Sequence, residues 1–226
     1  MEFQKFNKIP RLSRDCTISE KLDGSNAQLL IYNIDEELMF PFINQDPISQ
    51  LFINKYSLYE KDGFHIFAGS RKRWLDCSSK GDNHGFAKWV KANAEELLKL
   101  GEGRHFGEWY GKGIQRNYGL DEKRFALFNV GKWHKSGEEK RLISIDPKTE
   151  EERYTEEAPK CCDVVPIIYE GMFDTNSIEN FIQELEGCGS YAVPGFMNPE
   201  GLVIYHKASG KLFKKTIKDD EKPKGI

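Results

Sequence analysis

Short apolar alternations along most of the chain, two helical patterns and no regular exchange of strand with helix predict an α+β fold, built on antiparallel sheets with flanking helices. Ile9-Pro10-Arg11-Leu12 reads as extended, because proline fixes its own φ and restricts its predecessor. Thr17-Ile18-Ser19-Glu20 is a short strand that delivers Lys21, Gly24 supplies a turn, and residues 26–32 continue as a strand with a buried face. Residues 33–62, broken by Pro41 and Pro47, predict an irregular insertion containing short strands. Residues 64–70 alternate as a strand and end in Arg71-Lys72-Arg73.

The first helix is expected to start at Asp82 or Asn83 as cap, with Phe86, Trp89, Val90, Leu97 and Leu98 on one face and Gly101 and Gly103 ending it. Residues 104–110 resume a strand, Gly111-Lys112-Gly113 turns tightly, and residues 125–130 form a buried strand. Glu and Lys dominate residues 135–159, which predicts an exposed hairpin, and residues 163–169 return to a strand. Asn176 with Glu179 resembles a capping pair for a second helix with Ile178, Phe181, Ile182 and Leu185 on one face and Gly187 as terminator. Residues 201–205 and 211–214 complete the chain as paired strands around Ala208-Ser209-Gly210. With no repeat and no low-complexity linker, one domain over residues 1–226 is expected.

Composition excludes several classes. No apolar run reaches membrane-spanning length, and the opening Met1-Glu2-Phe3-Gln4-Lys5-Phe6 lacks the apolar core of a signal peptide, so the expected location is cytoplasmic, without a membrane partner. A formal net charge of −3 argues against a tight general nucleic-acid binder and leaves room for a local basic groove. Cys16, Cys77, Cys161, Cys162 and Cys188 contain no Cys-x-x-Cys pair and predict reduced thiols. His65, His84, His105, His134 and His206 show no metal-ligand spacing. The glycines from Gly101 to Gly113 match neither phosphate-binding glycine fingerprint.

Chemistry concentrates in Glu20-Lys21-Leu22-Asp23-Gly24-Ser25-Asn26, which sets an amine, a carboxylate and a glycine just before a strand. A charged turn is the bland alternative. As a nucleophile, Lys21 would have to lose its proton, and a free lysine holds it up to a pKa of about 10.4. Arg71, Lys72, Lys112, Lys214 and Lys215 are the cations that could lower that value and also bind phosphate oxygens. Further along come Glu108 in Phe106-Gly107-Glu108-Trp109-Tyr110-Gly111, the aromatic run Phe125 to Val130, Glu200 before a strand, and the basic strand Lys211 to Lys218. Each has an ordinary alternative: Phe128 as core, Arg71-Lys72-Arg73 as a solvated turn, Glu200 as a turn carboxylate.

In this order the segments resemble the covalent nucleotidyltransferase superfamily of ATP-dependent DNA and RNA ligases and mRNA-capping enzymes, most closely the RNA ligase 2-like group of ATP-dependent RNA ligases. The resemblance runs from about residue 5 to residue 222 and implies an ATP-grasp-like adenylyltransferase fold. It implies that Lys21 forms a lysyl–AMP, that Glu20 lies near the adenine, that Asn26 lies near the phosphates and that Arg71 contacts ribose and phosphate. Glu108 would bind the ribose or orient a metal, Phe128 would stack on adenine, Glu200 would engage the divalent metal, and Lys214 would bind the α-phosphate. The family pattern closes on Lys-x-Lys, whereas Lys214-Lys215-Thr216 offers adjacent lysines. Asn129 stands where many relatives carry Asp.

The implied cofactors are ATP and Mg²⁺ or Mn²⁺, and the implied partner is nucleic acid, as RNA ends or a nicked duplex, met by a monomer. The implied activity, in RNA repair, is AMP transfer to a 5′-phosphate end, which is then sealed to a 3′-hydroxyl. No OB-fold or other C-terminal domain is evident after the last lysine motif, which favours RNA over DNA. A DNA nick ligase, an RNA guanylyltransferase and a catalytically inactive nucleic-acid-binding module are the alternatives.

Overall fold

The computed structural model describes residues 3–6, 8–34 and 50–218. Its strands in chain order are β1 (Asp15–Lys21), β2 (Ser25–Asn33), β3 (Ser57–Lys61), β4 (Phe64–Ser70), β5 (Gly103–Gly111), β6 (Lys123–Leu127), β7 (Trp133–His134), β8 (Leu142–Ile145), β9 (Glu152–Tyr154), β10 (Glu156–Glu157), β11 (Cys162–Val164), β12 (Ile167–Met172), β13 (Gly201–His206) and β14 (Lys211–Thr216). The helices are α1 (Gln50–Tyr56), α2 (Phe86–Ala92), α3 (Ala94–Leu97) and α4 (Thr175–Cys188). The architecture is α+β with mostly antiparallel sheets, as the alternating patterns predict.

The chain, expected to form one domain, divides into two compact units by its internal contacts. By their order in the sequence alone, residues 1–22 and 165–226 are called the outer unit and residues 23–164 the central unit. The crossings fall inside continuous strand and turn sequence, so no Pro-, Gly- or Ser-rich linker marks them.

The outer unit is a four-stranded sheet in the order β12-β1-β13-β14, antiparallel throughout. Register assigns its faces, since directly paired residues share a side and neighbours along a strand alternate. Cys16, Ile18 and Glu20 pair with His206, Ile204 and Leu202 and form one face. There Cys16, Ile18, Leu202 and Ile204 pack with Ile178, Ile182 and Leu185 of α4. Thr17, Ser19 and Lys21, paired with Tyr205, Val203 and Gly201, form the other face. The α4 face matches the sequence pattern but its ends differ: Asp174, not Asn176, is the N-cap, accepting from the Ser177 N–H at 2.8 Å, and Gly189 with φ 84° follows the last turn in place of Gly187.

The central unit is a six-stranded sheet in the order β11-β6-β5-β2-β4-β3, with only β11–β6 parallel. One face, carrying Ala27, Leu29, Ile66, Ala68, Trp109, Phe125 and Leu127, forms the core with Phe86, Ala87 and Val90 of α2 and Ala94 and Leu97 of α3. The single helix expected from Asp82 to Leu98 is interrupted at Asn93, whose side chain donates to the Trp89 carbonyl at 2.8 Å and competes with the backbone ladder. The N-cap is Gly85 and not the expected Asp82 or Asn83, though Asp82 Oδ1 accepts from the Ala87 N–H of the first turn at 2.8 Å. The expected buried strand 125–130 ends at Leu127, and the strand 163–169 is two, β11 and β12. Within the insertion, residues 35–49 lie outside the described residues, and the described remainder holds a helix, α1, before β3. The exposed hairpin is present as β8–β9.

Candidate nucleotide-binding site

Lys21 is the last residue of β1 and pairs with Gly201, which brings it to the start of β13 and to Glu200. Its ammonium Nζ donates to Glu200 Oε2 at 2.6 Å, and Glu200 is 6% exposed. A buried carboxylate this close holds the Lys21 side chain in one place. Gly201 is required: its φ is 155°, and a Cβ would lie 2.1 Å from the Lys215 carbonyl oxygen. Of the cations proposed around Lys21, the sheet register puts Lys214 on the Lys21 face, since Lys214 pairs with Val203.

Two further residues expected at the site, Lys215 and Glu20, lie on the other face of the outer sheet from Lys21. Lys215 pairs with Leu202 on the α4 face and its ammonium contacts Glu179 Oε1 of α4 at 2.8 Å, so it does not share the side of Lys21. Adjacent residues of a strand cannot point the same way, which is why a Lys-Lys pair does not replace Lys-x-Lys. Thr216, paired with Gly201, occupies the alternate position on the Lys21 face. Glu20 also belongs to the α4 face and is 1% exposed. Its carboxylate accepts from the Ser190 hydroxyl at 2.6 Å and from the Ala192 N–H at 2.8 Å. Burial pushes its carboxyl above the usual range, against the lowering effect of these bonds. Glu20 anchors the loop after α4; its side chain does not point with Lys21.

In the central unit the turn after Lys21 is fixed by Glu108. Its Oε1 accepts from the Gly24 N–H at 3.1 Å and its Oε2 from the Asn26 side-chain amide at 2.8 Å. Asn26 pairs with Glu108 and Glu108 with Ala126, so these residues share the sheet face opposite the helix-packed core. Gly24 leaves no room for a side chain: a Cβ would lie 2.5 Å from the Trp109 carbonyl oxygen. Phe128 lies just past β6, joined through its N–H to the Phe106 carbonyl at 3.0 Å, and is 41% exposed, which removes the core reading. Arg71 follows the last residue of β4, is exposed and has no carboxylate partner among the described residues. Arg73 in the same cluster is committed to the Gly81 and Asp82 carbonyls at 2.6 and 3.0 Å.

Sequence reasoning missed Arg116, Tyr118 and Ser190. Arg116 Nε contacts Asp23 Oδ2 at 2.9 Å, and the Tyr118 hydroxyl oxygen accepts from the Asp23 N–H at 2.8 Å. Only the Asn117-Tyr118-Gly119 turn composition hinted at this loop. All five cysteines are free, and His105, His134 and His206 are hydrogen-bonded to Gly101, Thr155 and Ser209.

No group of three or more His, Cys, Asp or Glu side chains that could by itself hold a metal ion occurs among the described residues. Mg²⁺ and Mn²⁺ bound to nucleotides take one or two carboxylates and complete their shell with phosphate oxygens and water, so the donor chemistry of Glu200 fits such an ion. Glu108 offers the same donor chemistry, its oxygens accepting from the Gly24 N–H and the Asn26 amide. No helix among the described residues is long and apolar enough to cross a membrane.

An apo mutant of a Naegleria gruberi RNA ligase is similar with a TM-score of 0.50 and 18% identity, over 90% of this chain and 50% of that one. A second structure from that organism, an RNA ligase mutant with ATP and Mn, gives a TM-score of 0.48 and 18% identity, over 90% and 49%. The chain thus spans about half the length of these solved structures, and the first of them supports the fold. No curated protein matches. The RNA ligase family matches residues 14–218, from β1 through β14, and the chain belongs to that family.

Proposed function

We propose that the chain performs the nucleotidyl transfer of an ATP-dependent RNA ligase, with Lys21 as the covalent nucleophile. The observation that carries this is the Lys21–Glu200 pair at 2.6 Å, set by the pairing of Lys21 with Gly201 in a member of the RNA ligase family. Attack needs a lone pair, so the Lys21 ammonium must lose a proton and part from Glu200. The amine then attacks the α-phosphorus of ATP. A P–N bond forms, the bond to the bridging oxygen breaks, and pyrophosphate leaves with the electron pair.

In the second step a 5′-phosphate oxygen attacks the phosphorus of lysyl–AMP and releases the Lys21 amine. In the third a 3′-hydroxyl attacks the activated 5′-phosphorus, forms the phosphodiester and expels AMP. When bound, a divalent cation would offset charge on the phosphates, and Glu200 is a carboxylate suited to hold it, with Glu108 the other expected. Lys214 would bind the α-phosphate, Phe128 would stack on adenine, and Arg71 would contact ribose and phosphate. Glu108 would reach the ribose while keeping the turn at Gly24 in place, and Asn26 would lie near the phosphates.

The test is covalent labelling with α-labelled ATP or GTP in Mg²⁺ or Mn²⁺, read on a denaturing gel. Label from ATP that disappears in Lys21→Ala is expected. Absence of label, or label that survives in Lys21→Ala, would overturn the reading, and label from GTP alone would favour guanylyl transfer. Sealing of nicks with a 3′-hydroxyl RNA strand is expected to exceed sealing of all-DNA nicks.

A further inference from the structure

Between β5 and β6 the chain makes an unusual loop. Gln115, Asn117 and Tyr118 all have positive φ, at 44°, 62° and 52°, and none is glycine. Left-handed backbone is unfavourable for side chains of this size, above all for an aromatic residue, and persists only where surrounding contacts over-determine it. Here those contacts are identifiable. Asn117 Oδ1 accepts from the Gly113 N–H at 2.6 Å. The Tyr118 ring is 1% exposed and packs edge-on against Tyr110 at 5.3 Å.

The loop directs two groups at one residue. Arg116 contacts the Asp23 carboxylate at 2.9 Å, and Tyr118 accepts the Asp23 N–H at 2.8 Å. One grips the side chain of Asp23 and the other its backbone, so both the position and the peptide orientation of Asp23 are fixed. The next residue, Gly24, is held by Glu108. These three ties to Asp23 and Gly24 come from β5 or from the loop that follows it.

We propose that the strained loop 112–120 is a positioning device for the Asp23-Gly24 turn that follows Lys21 in the chain, with Arg116 and Tyr118 as positioning residues that act through Asp23 on the rate at which Lys21 is labelled. Asp23 is on this account an anchor and not a general base, because its carboxylate is committed to a guanidinium. The inference rests on the nucleotidyl-transfer reading above. Neither residue needs to touch ATP, so the effect falls on the rate of attack and not on nucleotide binding. Misplacement of a nucleophile by about 1 Å costs on the order of 100-fold in rate.

The experiment compares covalent labelling of Lys21 in the full chain and in Arg116→Ala, Arg116→Lys, Tyr118→Phe and Asp23→Ala, with thermal unfolding of each. Arg116→Ala is expected to slow labelling at saturating ATP by about 10- to 100-fold, while the ATP concentration for half-maximal rate stays within about 2-fold. Arg116→Lys, which keeps the charge without the planar fork, should recover part of the rate. Arg116→Ala combined with Asp23→Ala should be no slower than the worse single variant, as expected for groups acting as one unit. Wild-type rates in Arg116→Ala and Tyr118→Phe would overturn the inference alone. So would additive losses that follow the drop in unfolding temperature. No label on the unaltered chain would overturn the transfer reading and this inference with it.

Discussion

Lys214 and Lys215 are neighbours in β14 yet serve opposite faces of the outer sheet: Lys214 pairs with Val203 on the face of Lys21, and Lys215 reaches Glu179 of α4 at 2.8 Å. The family's two-residue spacing is a statement about strand geometry, and only one of these lysines satisfies it. Lys214→Ala should cut the rate of covalent labelling about 10- to 100-fold by removing a cation from the α-phosphate. Lys215→Ala should leave labelling within about 2-fold, because a half-exposed ion pair contributes roughly 0–1 kcal/mol to stability. Labelling rates of the two variants at saturating ATP check this, and equal losses would reverse the face assignment.

Gly24 makes a second prediction, from space alone. A Cβ there would lie 2.5 Å from the Trp109 carbonyl oxygen and 2.9 Å from the Tyr110 Cβ, both in β5 and unable to yield separately. Gly24→Ala should cost about 1–3 kcal/mol, as overpacking does, and displace the turn that Glu108 holds. Denaturant unfolding gives the stability loss, and labelling should fall with it. By contrast Gly113→Ala meets no atom within 4 Å, so only its positive φ of 72° opposes the change and a smaller loss is expected.

Stability should depend on pH in two opposite ways. Burial holds the His105 imidazole below its ordinary value, with Lys132 adding to the effect and the bond to the Gly101 carbonyl opposing it. Below about pH 6.5 the unfolded chain therefore takes up this proton before the folded one, and stability falls as pH drops through that value. Glu20 has the reverse sign. Its folded carboxyl lies above the usual range, so its contribution is intact below that range and is lost as pH rises through the raised value. Glu20→Gln should remove the second slope. The amide oxygen can accept from Ala192 while the Ser190 hydroxyl turns to accept from the amide, so both bonds survive. Unfolding midpoints of the two proteins from pH 4 to pH 8 provide the measurement, and parallel curves would contradict the role given to Glu20.

The elements that local pattern controls were legible in the sequence. β4 has the bounds that its alternation predicts, and the α4 face carries the expected Ile178, Ile182 and Leu185. Lys21, Gly24, Glu108 and Glu200 could be singled out because their spacing is short and their residue types are restrictive. What the sequence withheld depends on register and on distant partners. The interruption at Asn93 is a side chain competing with its own helix, and the Glu20 carboxylate is claimed by Ser190 and Ala192, 170 and 172 residues away. Arg116 and Tyr118 were invisible for the same reason: their partner Asp23 lies 93 and 95 residues away.

Phe128 gives the last prediction. An aromatic residue that is 41% exposed past the end of a strand contributes little to the core, and its backbone bond to Phe106 survives any side-chain change. Phe128→Ala should therefore leave the unfolding temperature nearly unchanged. Stacking of a base on an aromatic ring is worth about 1–3 kcal/mol, so the same variant should raise the ATP concentration for half-maximal labelling by roughly 5- to 150-fold. Phe128→Trp, which keeps a stacking surface, should restore most of the affinity, and Phe128→Leu, which keeps only apolar area, should restore little. Half-maximal ATP concentrations for the three variants decide the matter: equal values for Leu and Trp would mean that Phe128 supplies apolar cover and no base platform.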